Sequence, residues 1–250
     1  MKRLLGAWFF TVLVVGSASV ALADDKEATA ILDKGIKALG GEEILNKDSV
    51  YTWKIKGSVS INGNESDFAG SGAAKGMDQS RAVVELEING NKFAVTTVLN
   101  NDKGWRKVGE NLMPLDADGL ANEKRNHMIA YGIGWLVPFK GKGFKLETAG
   151  EEKVGDKPAK IVKITGPDGK NFKVSFDQES GLPVKSVATV AGFMGDEVEQ
   201  EVIYKDYKEF QGRKRATKIE MKRGGAKFID EEFSDYKAMD KVEPGTFDEP

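Results

Sequence analysis

The chain has 250 residues, among them 37 Lys and Arg, 39 Asp and Glu, a single histidine and no cysteine. The absence of cysteine excludes disulfides, Cys-ligated metal sites and Cys nucleophiles, and mixed charge without a basic block argues against nucleic acid as a partner. The length suits one large β domain with a substantial core.

Residues 1–23 have the order of a cleavable signal peptide: Lys2 and Arg3, an apolar run from Leu4 to Val15, then small residues ending in Ala21-Leu22-Ala23. The run is shorter than the roughly 20 residues that a transmembrane helix needs, which disfavours an uncleaved anchor. The sequence therefore predicts an exported periplasmic protein with no transmembrane segment after cleavage. It is not a lipoprotein, because it has no cysteine to carry the lipid. Removal of the two basic residues changes the formal net charge from −2 to −4.

The first segment after the signal peptide is predicted to be helical. The helix runs from Asp24 to Leu39 and carries apolar residues at helical spacing on one face. Gly40-Gly41 is typical of a helix C-cap, and Glu42 to Asn46 form a second helical turn.

From Tyr51 the apolar period changes to two, which predicts strands with one apolar face. Six turn signals separate such runs: Asn62-Gly63, Asn89-Gly90, Asp168-Gly169, Ser180-Gly181, Gln211-Gly212 and Gly224-Gly225. They predict an antiparallel meander of about ten or eleven strands. Gly70-Ser71-Gly72 is interpreted as a turn or bulge, because the strand-to-helix context of a phosphate loop is missing.

One helical segment, residues 116–136, interrupts the predicted meander between Pro114 and Pro138. Asp116-Ala117-Asp118-Gly119 matches part of a calcium loop, but a helix N-cap explains it better. The segment and its flanks carry many bulky side chains: Leu112, Met113, Leu115, Met128, Ile129, Tyr131, Trp135, Leu136 and Phe139. Packed against the sheet, they predict either a filled core or an apolar cavity with a helical lid.

Little in the sequence supports catalysis. His127 is the one histidine and no G-x-S-x-G motif is present, so a Ser-His-Asp triad is disfavoured. We predict no catalytic residues, no metal and no cofactor. Glu197, Glu199 and Glu201 follow a period of two, as on a solvated strand face. An envelope hydrolase with two close carboxylates is kept as the third hypothesis.

Several short motifs between residues 26 and 250 are typical of one family. Asn100-Asn101-Asp102-Lys103-Gly104-Trp105 looks like a D-G-k-x-x-W turn into a strand, and Phe176 to Val184 looks like a D-x-x-x-G-L-P hairpin. Further matching segments are Tyr204 to Tyr207, Gly212, Lys218-Ile219 and the end of the chain from Val242-Glu243-Pro244 to Pro250. In these motifs the chain resembles the periplasmic lipoprotein carriers and outer-membrane lipoprotein-sorting proteins (LolA/LolB-like).

The resemblance implies a mainly β fold for residues 24–250: an unclosed antiparallel β barrel of about eleven strands, strongly curved, with an N-terminal helix and an inserted helical lid. It also implies a non-catalytic monomeric carrier that holds acyl chains of lipoproteins or lipids in an apolar cavity, as a transport chaperone in outer membrane biogenesis. Its partners would be a lipid or acylated protein as cargo and an envelope donor or acceptor protein. The arginine that the carriers place on an early strand has its nearest counterpart by position in Arg81, in a different context.

Alternation on the strands, together with the position of the lid, selects the candidate ligand-binding residues. They are Trp53, Ile55, Phe93, Val95, Trp105, Ile129, Trp135, Leu136 and Phe176. A register shift of one residue would turn any of the strand residues to the other face. The alternative hypothesis is an envelope protein-interaction or structural domain with a filled core and no lipid cargo.

Overall fold

The computed structural model describes residues 25–47, 50–61, 63–88, 90–192 and 195–250. The predicted signal peptide, residues 1–23, lies outside the described residues, as do Asp24 and the asparagines of the first two predicted turns.

Within the described ranges the helices are α1 Lys26–Leu39, α2 Glu42–Asn46, α3 Ala117–Trp135 and a 3₁₀ helix, Val137–Lys140. Asp25 caps α1 by accepting the backbone N–H groups of Glu27 and Ala28, and Gly40 ends it at φ 135°. Asp116 caps α3 by accepting the N–H of Gly119 at 2.8 Å. The predicted helices and the N-cap interpretation of Asp116 are therefore confirmed.

Thirteen strands of the described chain form a single antiparallel sheet. They are β1 Val50–Ile61, β2 Asn64–Lys75, β3 Gln79–Ile88, β4 Asn91–Asn100, β5 Lys103–Val108, β6 Asn111–Pro114, β7 Lys145–Val154, β8 Lys157–Thr165, β9 Asn171–Asp177, β10 Pro183–Ala191, β11 Glu197–Phe210, β12 Arg213–Arg223 and β13 Ala226–Met239. Four of the six predicted turns lie wholly within the described residues and join consecutive strands, and Gly63 and Gly90 of the other two lie between β1 and β2 and between β3 and β4.

The sheet consists of two meanders, β1 to β6 and β7 to β13, joined by the antiparallel pair β1–β13. Strands β6 and β7 are left as the two edges, so the sheet is not closed into a barrel. The predicted fold class is confirmed, with thirteen strands rather than eleven. Strand β6 has four residues, too few to show alternation. Strands β7 and β8 are joined by Gly155-Asp156, a two-residue hairpin signal that was not among the six predicted turns.

The prediction of a turn or bulge at Gly70-Ser71-Gly72 is wrong, because both glycines lie inside β2 in regular register. A Cβ atom at Gly70 would stand 2.1 Å from the carbonyl oxygen of Val83 on β3. The glycines therefore allow close approach within the sheet.

The helices cover one face of the sheet unevenly. Helix α3 contacts β4 and β5 near one edge and β10 in the other meander, so it lies across a concave face. Helix α1 packs on β7, β8 and β12. The main core fills the space between helices and the second meander and includes Leu32, Ile36, Ile133, Phe139, Phe172 and Phe176. In the described chain, no helix combines the length and apolarity needed to cross a membrane.

Candidate functional site

A cavity of about 370 Å³ lies between α3 and the concave face of the sheet. Its walls come from β1 and β3 of the first meander, from β10 to β13 of the second, and from α3 and the end of α1. Most of its lining side chains are aliphatic or aromatic. The sequence predicted either a filled core or a cavity beneath the helical insert. The structure has both: the insert packs in a core over one part of the sheet and covers a cavity over another.

The floor of the cavity at β1 depends on small residues in the neighbouring strands. Trp53 pairs with Gly72 of β2, which pairs with Ala82 of β3. A Cβ atom at Gly72 would stand 2.3 Å from the indole ring. Because glycine has no side chain, the indole of Trp53 lies directly against the backbone of β2, and both Trp53 and Ala82 line the cavity.

Two aspartates with left-handed backbone conformation shape the aromatic wall. Asp206 in β11 has φ 53° and Asp235 in β13 has φ 51°. At Asp235 the pairing of β13 with β1 shifts by one residue, as in a bulge that re-aims the following side chain. As a result, two aromatic pairs with a spacing of three residues line the cavity: Tyr204 with Tyr207, and Phe233 with Tyr236.

Strict alternation cannot place both members of such a pair on one face, so these four residues were not among the predicted ligand-binding residues. A signal does exist in the sequence: Tyr204-Lys205-Asp206-Tyr207 and Phe233-Ser234-Asp235-Tyr236 share the pattern aromatic-x-Asp-Tyr. Aspartate is one of the few non-glycine residues that adopts the left-handed conformation with some frequency.

Arg215 of β12 brings a positive charge into the cavity wall, with 9% of its surface exposed. Its guanidinium lies 5.0 Å from the ring centroid of Tyr236 and 5.4 Å from that of Tyr51. Its Nε atom has no hydrogen-bond partner among the described residues. Burial raises the pKa of the Tyr236 hydroxyl, and the charge of Arg215 opposes that rise.

Glu231 of β13 is the one carboxyl among the described residues that line the cavity. It pairs with Gly57 and Ile219, so it occupies the face that carries Ile55 and Phe233. Burial raises its pKa to about 7. A hydrolase of the paired-carboxylate type requires a second carboxyl here, which the described lining does not supply. No group of His, Asp and Glu in the described chain is arranged to hold a metal ion.

His127 attaches α3 to the β2–β3 turn at the cavity roof. Its Nε2 lies 3.0 Å from the carbonyl oxygen of Gly76, and its ring stacks on Tyr131 with centroids 5.2 Å apart. Burial lowers the pKa of His127. A neutral ring that donates to a carbonyl holds the helix in place.

Three of the nine predicted ligand-binding residues, Trp53, Ile55 and Ile129, line the cavity. Leu136 and Phe176 instead lie in the filled core, where both approach the backbone of Gly35 in α1. Trp135 is half-buried and donates its indole N–H to Asn46 at 3.1 Å.

The other three predicted residues lie on the outer strands of the first meander. Phe93 is exposed, with 42% of its surface accessible, and Val95 and Trp105 are half-buried. None of the three is part of the cavity lining. Arg81 precedes the cavity residue Ala82 on β3, so alternation turns it to the opposite face.

The fold is an unclosed antiparallel sheet with a helix across its concave face. An apolar cavity lies between the helix and the sheet. No protein-family model matches the sequence, and no curated protein matches it.

Solved structures share the fold. A LolA superfamily protein from Nitrosomonas europaea has a TM-score of 0.58 at 14% identity, over 88% of this chain and 96% of that one. A domain assigned to the outer membrane lipoprotein-sorting proteins, from Vibrio parahaemolyticus, has 0.57 at 12%, over 89% and 97%. A DUF1329 family protein from Desulfovibrio piger has 0.57 at 11%, over 88% and 97%. The resemblance to the LolA/LolB-like proteins is thus confirmed for the fold.

Proposed function

We propose that this protein is a non-catalytic carrier that holds an acyl chain, of a lipid or of a lipoprotein, in the cavity beneath α3. The observation that carries the proposal is the cavity itself, which is apolar, about 370 Å³ in volume and roofed by one helix. Volumes from roughly 300 Å³ upwards are typical of ligand pockets in proteins. The fold shared with lipoprotein-sorting proteins supports the same function.

The energetics of acyl transfer explain why such a cavity suffices without catalytic groups. Exposing an acyl chain to water costs about 0.8 kcal/mol for each CH₂ group. A cavity lined by side chains such as Trp53, Ile129 and Tyr204 replaces the apolar surroundings of the membrane. Exchange between membrane and carrier is then close to neutral in free energy, and only the opening of the roof is required.

The proposal places the mature chain in the periplasm, where the predicted signal peptide would deliver it and where an envelope donor or acceptor protein would be its partner. Trp53, Ile55 and Ile129 are the residues predicted from sequence that we propose to contact the chain.

Native mass spectrometry with lipid extraction, on mature protein purified without detergent, tests the proposal. We expect a co-purifying lipid or acylated peptide on the unaltered protein. The variant Ala82→Phe fills the cavity floor and should lose it, whereas Ala69→Phe, at an exposed position of β2, should keep it. An apo mass for the unaltered protein, under conditions that preserve lipid complexes, would contradict the proposal.

A second function is favoured by three large apolar side chains exposed on β4 and β6: Phe93, Leu112 and Met113. Strand β6 is an edge of the sheet, and exposed edges pair readily with other chains. An envelope protein that binds the unaltered chain but not the double variant Leu112→Asp with Met113→Asp, together with an apo cavity, would support an interaction domain instead.

A further inference from the structure

We infer that the acyl chain held in the cavity ends in a carboxylate, and that this carboxylate pairs with Arg215. The inference rests on the proposed function, because it names the class of ligand that the same cavity takes. It predicts a preference for free fatty acids over uncharged lipids of the same chain length.

Arg215 differs from Arg125 of α3, another buried arginine on this side of the sheet. Arg125 is 6% exposed and fully engaged: it donates to Asp168 at 2.6 Å and to the carbonyl oxygens of Thr189 and Asn171 at 3.2 and 2.9 Å. Arg215 is nearly as buried, yet no carboxylate of the described chain forms an ion pair with it.

An unpaired buried charge is costly, and a guanidinium cannot lose its proton to avoid that cost. The rings of Tyr51 and Tyr236 stabilise the cation in part, since cation–π contacts contribute about 0.5–2 kcal/mol. The guanidinium also hydrogen-bonds the Tyr236 hydroxyl, but its Nε–H has no partner among the described residues. A carboxylate is its planar, bidentate complement, and an acidic ligand would supply in the complex the partner that the chain itself lacks.

The cavity carries opposite charges towards its two ends, and this asymmetry determines the orientation of such a ligand. Arg215 and Ile219 are four residues apart on β12, a distance of about 13 Å along a strand. Ile219 pairs with Glu231, so the positive and acidic groups lie towards opposite ends of the lining. A carboxylate is attracted to the end at Arg215 and repelled at the end at Glu231, and the acyl tail then runs along β12 past Ile219 towards Met221.

Isothermal titration calorimetry of delipidated mature protein with laurate and with 1-dodecanol at pH 8 tests the inference. We expect laurate to bind at least about tenfold more tightly, the usual effect of a charge-assisted hydrogen bond. In Arg215→Met the two ligands should bind with affinities within about twofold of each other. Arg125→Met is the matched control: it removes an equally buried arginine outside the cavity lining and should keep the preference.

Thermal unfolding of the ligand-free variants gives a readout independent of binding. Arg215→Met removes an unpaired charge, so its melting temperature should equal or exceed that of the unaltered protein. Arg125→Met should melt at a lower temperature, because it leaves Asp168 and two carbonyl groups without their donor.

The possible failures are distinguishable. Equal binding of laurate and dodecanol by the unaltered protein, or a laurate preference that survives Arg215→Met, would overturn the inference while leaving an acyl carrier. Tight binding of lysophosphatidate without binding of laurate would overturn the carboxylate assignment. Binding of none of these ligands would instead contradict the proposed function.

Discussion

Glu231 places a carboxyl on the apolar face of β13, and its raised pKa has a consequence for stability. In the unfolded chain this carboxyl ionises near pH 4.5, whereas in the folded protein it ionises at about pH 7. Between these values the folded state binds more protons, so the free energy of unfolding falls as the pH rises from about 4.5 to about 7. Above pH 7 the carboxyl is ionised in both states, and the free energy of unfolding stays lower by the cost of burying the charge.

The variant Glu231→Gln should therefore be more stable than the unaltered protein at pH 8, by about 2 kcal/mol, and equal to it near pH 4. Urea unfolding of both proteins across this range measures the difference. Glu232→Gln is the neighbouring control: Glu232 is exposed and pairs with Lys56 at 3.2 Å, and hydrogen bonding lowers its pKa. It should not gain stability at pH 8. A constant difference between Glu231→Gln and the unaltered protein at all pH values would refute the assignment.

Gly72 is the residue that allows Trp53 to lie flat on the sheet. Gly72→Ala puts a methyl group where the indole stands and should cost about 1–3 kcal/mol, as overpacking commonly does. Trp53→Leu makes room, so the double variant should recover much of that loss. A double-mutant cycle from urea unfolding measures the coupling between the two sites. Additive effects would show that the two residues do not compete for the same space.

At the scale of the strand, Asp206 turns β11 so that Tyr204 and Tyr207 line the same cavity. Asp206→Val should destabilise the protein by about 1–2 kcal/mol relative to Asp206→Gly, because a β-branched residue is strained at φ 53° and glycine is not. Both variants lose the ion pair between Asp206 and Lys218, so that loss cancels in the comparison. Equal melting temperatures of the two variants would mean that the left-handed conformation is not required.

The elements of the fold could be predicted from sequence wherever a local signal controls them. Asp116 and Pro138 bracket α3, and the two-residue glycine turns mark the hairpins, since caps and turns depend on neighbouring residues alone. The site was only partly predictable. Trp53 and Ile55 follow simple alternation along β1. Asp206 and Asp235 interrupt the alternation in β11 and β13. The burial of Phe176 depends on where α1 packs on the sheet.

At the scale of the molecule, α1 and α3 divide the concave face into a filled part and an open part. The filled part holds Leu136 and Phe176 against Gly35, where a Cβ atom would stand 2.8 Å from the Phe176 ring. Gly35→Val should thus lower stability by about 1–3 kcal/mol in the absence of any ligand. Chemical unfolding measures this loss. Unchanged stability would mean that the space between Gly35 and Phe176 can accept a larger side chain.

The open part links ligand binding to the stability of the whole sheet, because the cavity walls come from both meanders and from α3. A ligand at 100 times its Kd stabilises the folded state by about 2.7 kcal/mol. For a chain of this length, saturating laurate should therefore raise the melting temperature by roughly 5–10 °C. Ala82→Phe occupies the cavity and should show no such rise, while Ala69→Phe should show all of it. An equal rise in Ala82→Phe would place laurate outside the cavity, on the exposed surface of Phe93, Leu112 and Met113.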